Sequence, residues 1–175
     1  REALQRLEKE GLVKRADNAR FTVSQLTIRE VNDACDLLEV LDTYVCNKAS
    51  GKLTPEDIEL LRASVAQMQR AAGEDDRASW AAADLAFHRT VNTIADNQLV
   101  ADIVKETRRR IQRFWMRASS LQSRLEACSQ EHFVLANAII AQDYDAIEPA
   151  VKEHIGHMRQ RMLEMLESAA ALLGD

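Results

Sequence analysis

The chain has 175 residues, 46% apolar and 29% charged, with only five Gly and two Pro. That is enough for one sizeable domain plus a small appendage, and it is the composition of a helix-rich globular protein, not a disordered or β-rich one. Uncharged stretches fall far short of the roughly 18–20 apolar residues that span a bilayer, and the start carries no apolar signal core, so the expected location is the cytoplasm. The net charge of −5 is uneven: residues 1–30 hold seven Lys/Arg against five Asp/Glu, leaving a basic head on an acidic body. This fits a nucleic-acid contact confined to one end. Cys35, Cys46 and Cys128 are odd in number, far apart and set in helical patterns, and are read as small core residues.

In chain order, REALQRLEKE places Ala3, Leu4 and Leu7 on one helical face, and Gly11 stops the helix. Leu12-Val13-Lys14 and Arg20-Phe21-Thr22-Val23 flank Asp17-Asn18, a dipeptide suited to a tight hairpin turn. Thr27-Ile28-Arg29-Glu30 is a capping box that opens a helix to about residue 49, which puts a domain boundary between 26 and 27. Thr54-Pro55 opens a second bundle helix, to about 72, and Asp75 or Asp76 a third, to about 95. Asn97 caps a fourth, to about 118; a fifth spans about 121–142 and the last about 145–173, with Pro149 early enough to cost little if the first turn is loose. The predicted architecture is all-α: a six-helix antiparallel bundle over 27–175, preceded by one helix and a β-hairpin over 1–26.

Three bundle helices carry the same anomaly. In the third, Trp80, Phe87, Val91 and Ile94 mark the apolar stripe, and Asp84 and His88 fall on it one turn apart. In the fifth, Leu121, Leu125, Cys128, Leu135 and Ile139 set a stripe on which His132 occupies the step after Cys128. In the last, Ile147, Val151, Met158, Met162 and Met165 do the same around His154. An ionised Asp in an apolar core is costly unless paired or bound to a cation, and a divalent metal draws neutral imidazoles around it. Asp84, His88, His132 and His154 are therefore the candidate ligands of Zn, Ni or Mn, with Fe also compatible. Any one of these His, alone, reads as a hydrogen-bonded core residue, and Asp84 with His88 as a plain i,i+4 pair. Glu131 and Glu153, each preceding a proposed ligand, are read as solvated surface residues, with orientation of the neighbouring imidazole as the alternative. His157 sits at the edge of the stripe and is a weaker candidate.

REALQRLEKEGLV, the basic hairpin and the helix opening at Thr27 resemble the second half of the winged helix-turn-helix of GntR-superfamily regulators. Asp84-x-x-Phe87-His88, the Asp96-Asn97 turn, Glu131-His132 and Glu153-His154 resemble the C-terminal, FCD-type domain of the FadR-like subgroup, in which an Asp and three His bind a divalent metal. In that family the arginine opening the R-E-A-L segment lies in the recognition helix, which implies a DNA contact for Arg1, and wing residues reach the minor groove, which implies Asn18 and Arg20. Arg6, Lys9, Lys14 and Arg15 stand between phosphate contact and plain solvation, with Arg6 kept as a DNA-binding candidate. The resemblance also implies that roughly 40–50 residues of the DNA-binding domain precede Arg1. Many FadR-like members carry an arginine where Leu38 stands, able to pair with an effector carboxylate; Arg108, Arg113 and Trp115 on the fourth bundle helix are the candidates to replace it.

The expected function is a homodimeric transcription regulator that binds operator DNA, holds a divalent metal and responds to a small, carboxylate-bearing effector. Two other readings stand beside it: a metal-dependent hydrolase or oxygenase using the same Asp/His cluster, for which no nucleophile or base stands out, and a purely structural helical module without metal.

Overall fold

A computed structural model describes residues 2–9, 13–15, 20–23, 26–115 and 122–173. The head is a short helix, α1 (Glu2–Lys9), followed by an antiparallel hairpin of β1 (Val13–Arg15) and β2 (Phe21–Val23), with Val13 opposite Val23 and Arg15 opposite Phe21. The bundle follows as α2 (Ile28–Ser50), α3 (Pro55–Gly73), α4 (Arg77–Ala95), α5 (Gln98–Trp115), α6 (Gln122–Ala141) and α7 (Tyr144–Leu173). Among the described residues the fold is therefore all-α apart from the hairpin, as the periodicity predicts. The Asp17-Asn18 turn, the segment 116–121 and Leu121 with it lie outside the described residues.

Local chemistry fixes where these helices start and stop. The Thr27 hydroxyl accepts from the Glu30 amide at 3.1 Å while Glu30 accepts from the Thr27 amide at 2.9 Å, closing the predicted capping box. Thr54 and Asp57 repeat the device at α3, with Pro55 in the first turn where its missing N–H is harmless. Asp76 caps α4. Helix α4 ends on Asp96 in the left-handed region (φ 53°), and Asn97 turns the chain into α5 by accepting from the Val100 amide at 3.3 Å. That turn is tied to α2: Lys48 donates to the Asp96 carbonyl at 3.2 Å, and Asn97 donates to the Tyr44 hydroxyl at 3.1 Å. Pro149 lies in the second turn of α7, not in a loose first turn, and removes the amide that would bond back to residue 145.

Helix α2 packs against α4, α5, α6 and α7, α3 lies between α4 and α6, and α6 rests on α7. Their inner faces form one core that includes Leu38, Leu61, Met68, Trp80, Phe87, Ile139, Ile155 and Met162, all fully buried. Each such side chain contributes about 1.5–3 kcal/mol relative to exposure. The three cysteines are buried and free, as expected of core residues. Among the described residues the buried polar or charged ones are Asp42, Ser50, His88, Ser129, His132 and His154. Half of these are the imidazoles singled out from the sequence.

Candidate metal centre

Helix α4 brings Asp84 and His88 inward one turn apart, α6 brings His132, and α7 brings His154. Oδ1 of Asp84 lies 3.1 Å from Nε2 of His132 and 3.6 Å from Nε2 of His88, and the two imidazole Nε2 atoms are 3.2 Å apart. Ring nitrogens of His88, His132 and His154 all fall within 4.8 Å of one another. Phe87 closes one side, edge-on to both His88 and His132 with ring centroids 5.4 and 5.2 Å away. Trp80 stands 6.2 Å from His132, its indole N–H donating to the Ser129 hydroxyl at 2.9 Å.

Tautomers follow from the partners. Nδ1 of His132 donates to the Cys128 carbonyl at 2.8 Å, so on the neutral ring Nε2 is a lone pair facing the Asp84 carboxylate. Nδ1 of His154 donates to Glu131 at 2.9 Å, and its Nε2 is buried without a hydrogen-bond partner. A carboxylate oxygen and lone-pair nitrogens crowded together are satisfied by a positive charge at their centre, a proton or a metal ion. The residues present thus fit a divalent cation.

Burial drives the imidazole of His88 down to about 3, with the nearby Arg108 guanidinium adding to the effect and Asp84 opposing it. Burial takes His154 to about 4, helped by His132 and opposed by Glu131. For Asp84, burial pushes the carboxyl up, but hydrogen bonding and charge from His132 and His88 outweigh it and hold the group well below the usual carboxylate range. Near neutral pH, His88 and His154 are therefore neutral and Asp84 ionised, the protonation states that metal coordination requires.

Two spaces adjoin the cluster. A small pocket of about 40 Å³ is walled by Trp80, Asp84, Arg108, Cys128, His154 and Arg161, among others. A larger cleft of about 620 Å³ between α4 and α5 includes Asp84, His88, Arg89, Lys105, Arg108 and Arg109 in its lining. Arg108 and Asp84 border both. Arg108 is hydrogen-bonded to Asp42 of α2, and both side chains are largely buried.

Residues 33–157 match the FCD domain family. The chain belongs to that family. It is 21% identical over 165 residues to the HTH-type transcriptional repressor RspR of Escherichia coli K12, covering 94% of this chain and 72% of that protein. The HTH-type transcriptional regulator YdfH of Shigella flexneri matches to the same extent. Among solved structures, E. coli McbR/YncC superposes with a TM-score of 0.79 at 18% identity, covering 95% of this chain and 83% of that one. A GntR-family transcriptional regulator from Pseudomonas syringae pv. tomato gives 0.67 at 18% identity, covering 97% and 70%. The resemblance to FadR-like GntR regulators is borne out at the level of the FCD domain, and the relatives are regulators of transcription, which sets the enzyme alternative aside. No described helix is long and apolar enough to cross a membrane.

The fold of this FCD domain brings together Asp84, His88, His132 and His154, and it places Arg108 beside them. The side chains of Arg113 and Trp115 lie outside the described residues, as do Arg1, Asn18 and the side chain of Arg6. Arg20 is exposed immediately before β2. Leu38 is fully buried in the core. His157 is half-exposed, donates from Nδ1 to Glu131 at 2.9 Å, and is not one of the three clustered imidazoles.

Glu131 corrects the reading as a solvated residue. Its side chain is 9% exposed and it accepts from His154, His157 and Arg161, whereas Glu153 is exposed as expected. The signal was present: Glu131 lies three residues after Cys128 and four before Leu135, so it fits the stripe of α6 as well as His132 does. Asp42, four residues after Leu38 and three before Val45 on α2, was missed for the same reason.

Proposed function

We propose that this chain is the sensing portion of a GntR-type transcription regulator. Asp84, His88, His132 and His154 hold a divalent metal, Zn, Ni or Mn, and a small carboxylate effector binds beside it. The observation that carries this reading is the meeting of an ionised carboxylate and three imidazoles from three helices, with Nε2 of His154 buried and without a partner. A bound divalent ion supplies fixed positive charge and coordination positions open to water or a carboxylate. Arg108, which borders both the small pocket and the cleft and is held by Asp42, adds a guanidinium able to pair with an anion, and Arg89, Lys105 and Arg109 line the cleft together with the acidic Asp96 and Asp102.

In this reading α1 and the β1–β2 hairpin are the recognition helix and wing of a winged helix-turn-helix, and Arg1, Arg6, Asn18 and Arg20 are the candidates for DNA contact. Residues 1–26 are the end of the DNA-binding domain and residues 27–175 the sensing and dimerising domain. A homodimer follows from the palindromic half-sites that such motifs read. Effector binding regulates operator affinity only if the two DNA-binding states differ in affinity for the effector. The test is binding of the protein, with its full DNA-binding domain, to DNA upstream of its own gene. Saturable, sequence-selective and salt-sensitive binding is expected, and its absence would overturn the reading.

A further inference from the structure

Glu131 precedes His132 on α6 but serves a different helix. Its carboxylate accepts four hydrogen bonds, all from α7: from Nδ1 of His154 and Nδ1 of His157 at 2.9 Å each, and from the two terminal nitrogens of Arg161 at 3.0 and 3.2 Å. An ionised carboxylate only accepts, so each of these nitrogens carries its proton. For His154 this settles the tautomer: Nδ1 is the donor and Nε2 the lone pair, and Nε2 is the buried atom without a partner beside His88 and His132.

His132 is oriented differently. Its Nδ1 donates to the Cys128 carbonyl of its own helix, a contact that the helix supplies as soon as it forms. His154 has no such local partner in this arrangement and depends on a side chain from the neighbouring helix. That side chain is itself clamped from two further positions on α7. Arg161, only 12% exposed, also borders the small pocket beside the cluster. One carboxylate therefore connects a proposed ligand to the wall of the space next to it.

We infer that Glu131 is the positioning residue of the metal centre: it fixes His154 as an Nε2 ligand, and Arg161 and His157 hold Glu131 in place. The inference rests on the metal reading proposed above. A carboxylate behind a ligating imidazole locks the ring and raises its basicity, and loss of such partners weakens metal binding by about 10–100-fold.

The experiment compares wild type, Glu131→Ala, Glu131→Gln and His132→Ala. Cobalt(II) affinity is read by competition with a chromophoric chelator, and the His154 tautomer by 15N NMR of the chelator-treated protein. Glu131→Ala is expected to bind cobalt about 10–100-fold more weakly and to lose the pure Nδ1–H form of His154. Glu131→Gln keeps an amide oxygen that accepts from Nδ1, and is expected to retain the tautomer and fall between the two in affinity. If the Ala variant does not fold, the Gln variant decides: affinity below wild type supports the role. Wild-type affinity in the folded Ala variant, or in the Gln variant when it stands alone, overturns the positioning role while leaving the metal site standing. Wild-type affinity no better than that of His132→Ala overturns the metal reading and this inference together.

Discussion

Arg108 of α5 donates a hydrogen bond to Asp42 of α2 inside the bundle, and neither side chain has more than a small fraction of its surface in water. The two residues lie 66 apart in sequence, and their pair joins α2 to α5 at the edge of the proposed centre. Removing one partner leaves the other as an uncompensated buried charge, whereas replacing both with apolar groups of similar volume is nearly neutral. Asp42→Ala is expected to lower unfolding stability by about 3–5 kcal/mol, and Asp42→Ala combined with Arg108→Met to recover much of that loss. Urea unfolding of the single and double variants measures it. Simple additivity of the two single effects would show that the pair is not coupled.

In metal-free protein the same cluster makes stability pH-dependent. His88 and His154 titrate near 6.5 in an unfolded chain and at about 3 and about 4 when buried, so between these values the unfolded state binds more protons. Stability is therefore highest above about pH 6.5 and falls as the pH drops toward 4. Asp84 and Glu131, whose folded values are depressed, add their losses as the pH falls through the ordinary carboxylate range and below it. From pH 7 to pH 5, chelator-treated protein is expected to lose about 2–4 kcal/mol, and His88→Gln about half as much. A flat profile over that window would contradict the assignment of neutral, buried imidazoles.

Metal binding is expected to stabilise the folded state by mass action. At a free zinc concentration 100 times its Kd the gain is about 2.7 kcal/mol. For a chain of this size that raises Tm by roughly 5–10 °C, a shift reversed by chelator and missing from His132→Ala. An equal zinc response in the wild type and in that variant would place the binding elsewhere.

Much of this was legible before any coordinates. Strong caps at Thr27, Thr54, Asp76 and Asn97 set helix starts within a residue or so, because a capping side chain acts over a single turn. The inward positions of Asp84, His88, His132 and His154 followed from helical periodicity alone. Periodicity is less informative at the edge of a stripe, where three- and four-residue steps overlap. Glu131 and His132 are neighbours that both satisfy the steps of α6, and which of them faces α7 depends on how two helices rotate against each other. The inward position of Asp42 was legible on the stripe of α2, but its pairing was not: Arg108 lies on a helix far away in sequence, and charge alone gave no reason to pair them. The cleft between α4 and α5 is likewise a product of helix placement, which no single segment encodes.

In the proposed function, the bundle of this FCD domain holds a metal through Asp84, His88, His132 and His154. Elemental analysis of purified wild type, His132→Ala and His154→Ala, prepared side by side, tests it most directly. About one divalent ion per wild-type chain is expected, with a large loss in both folded variants. Equal metal content in all three proteins would contradict it.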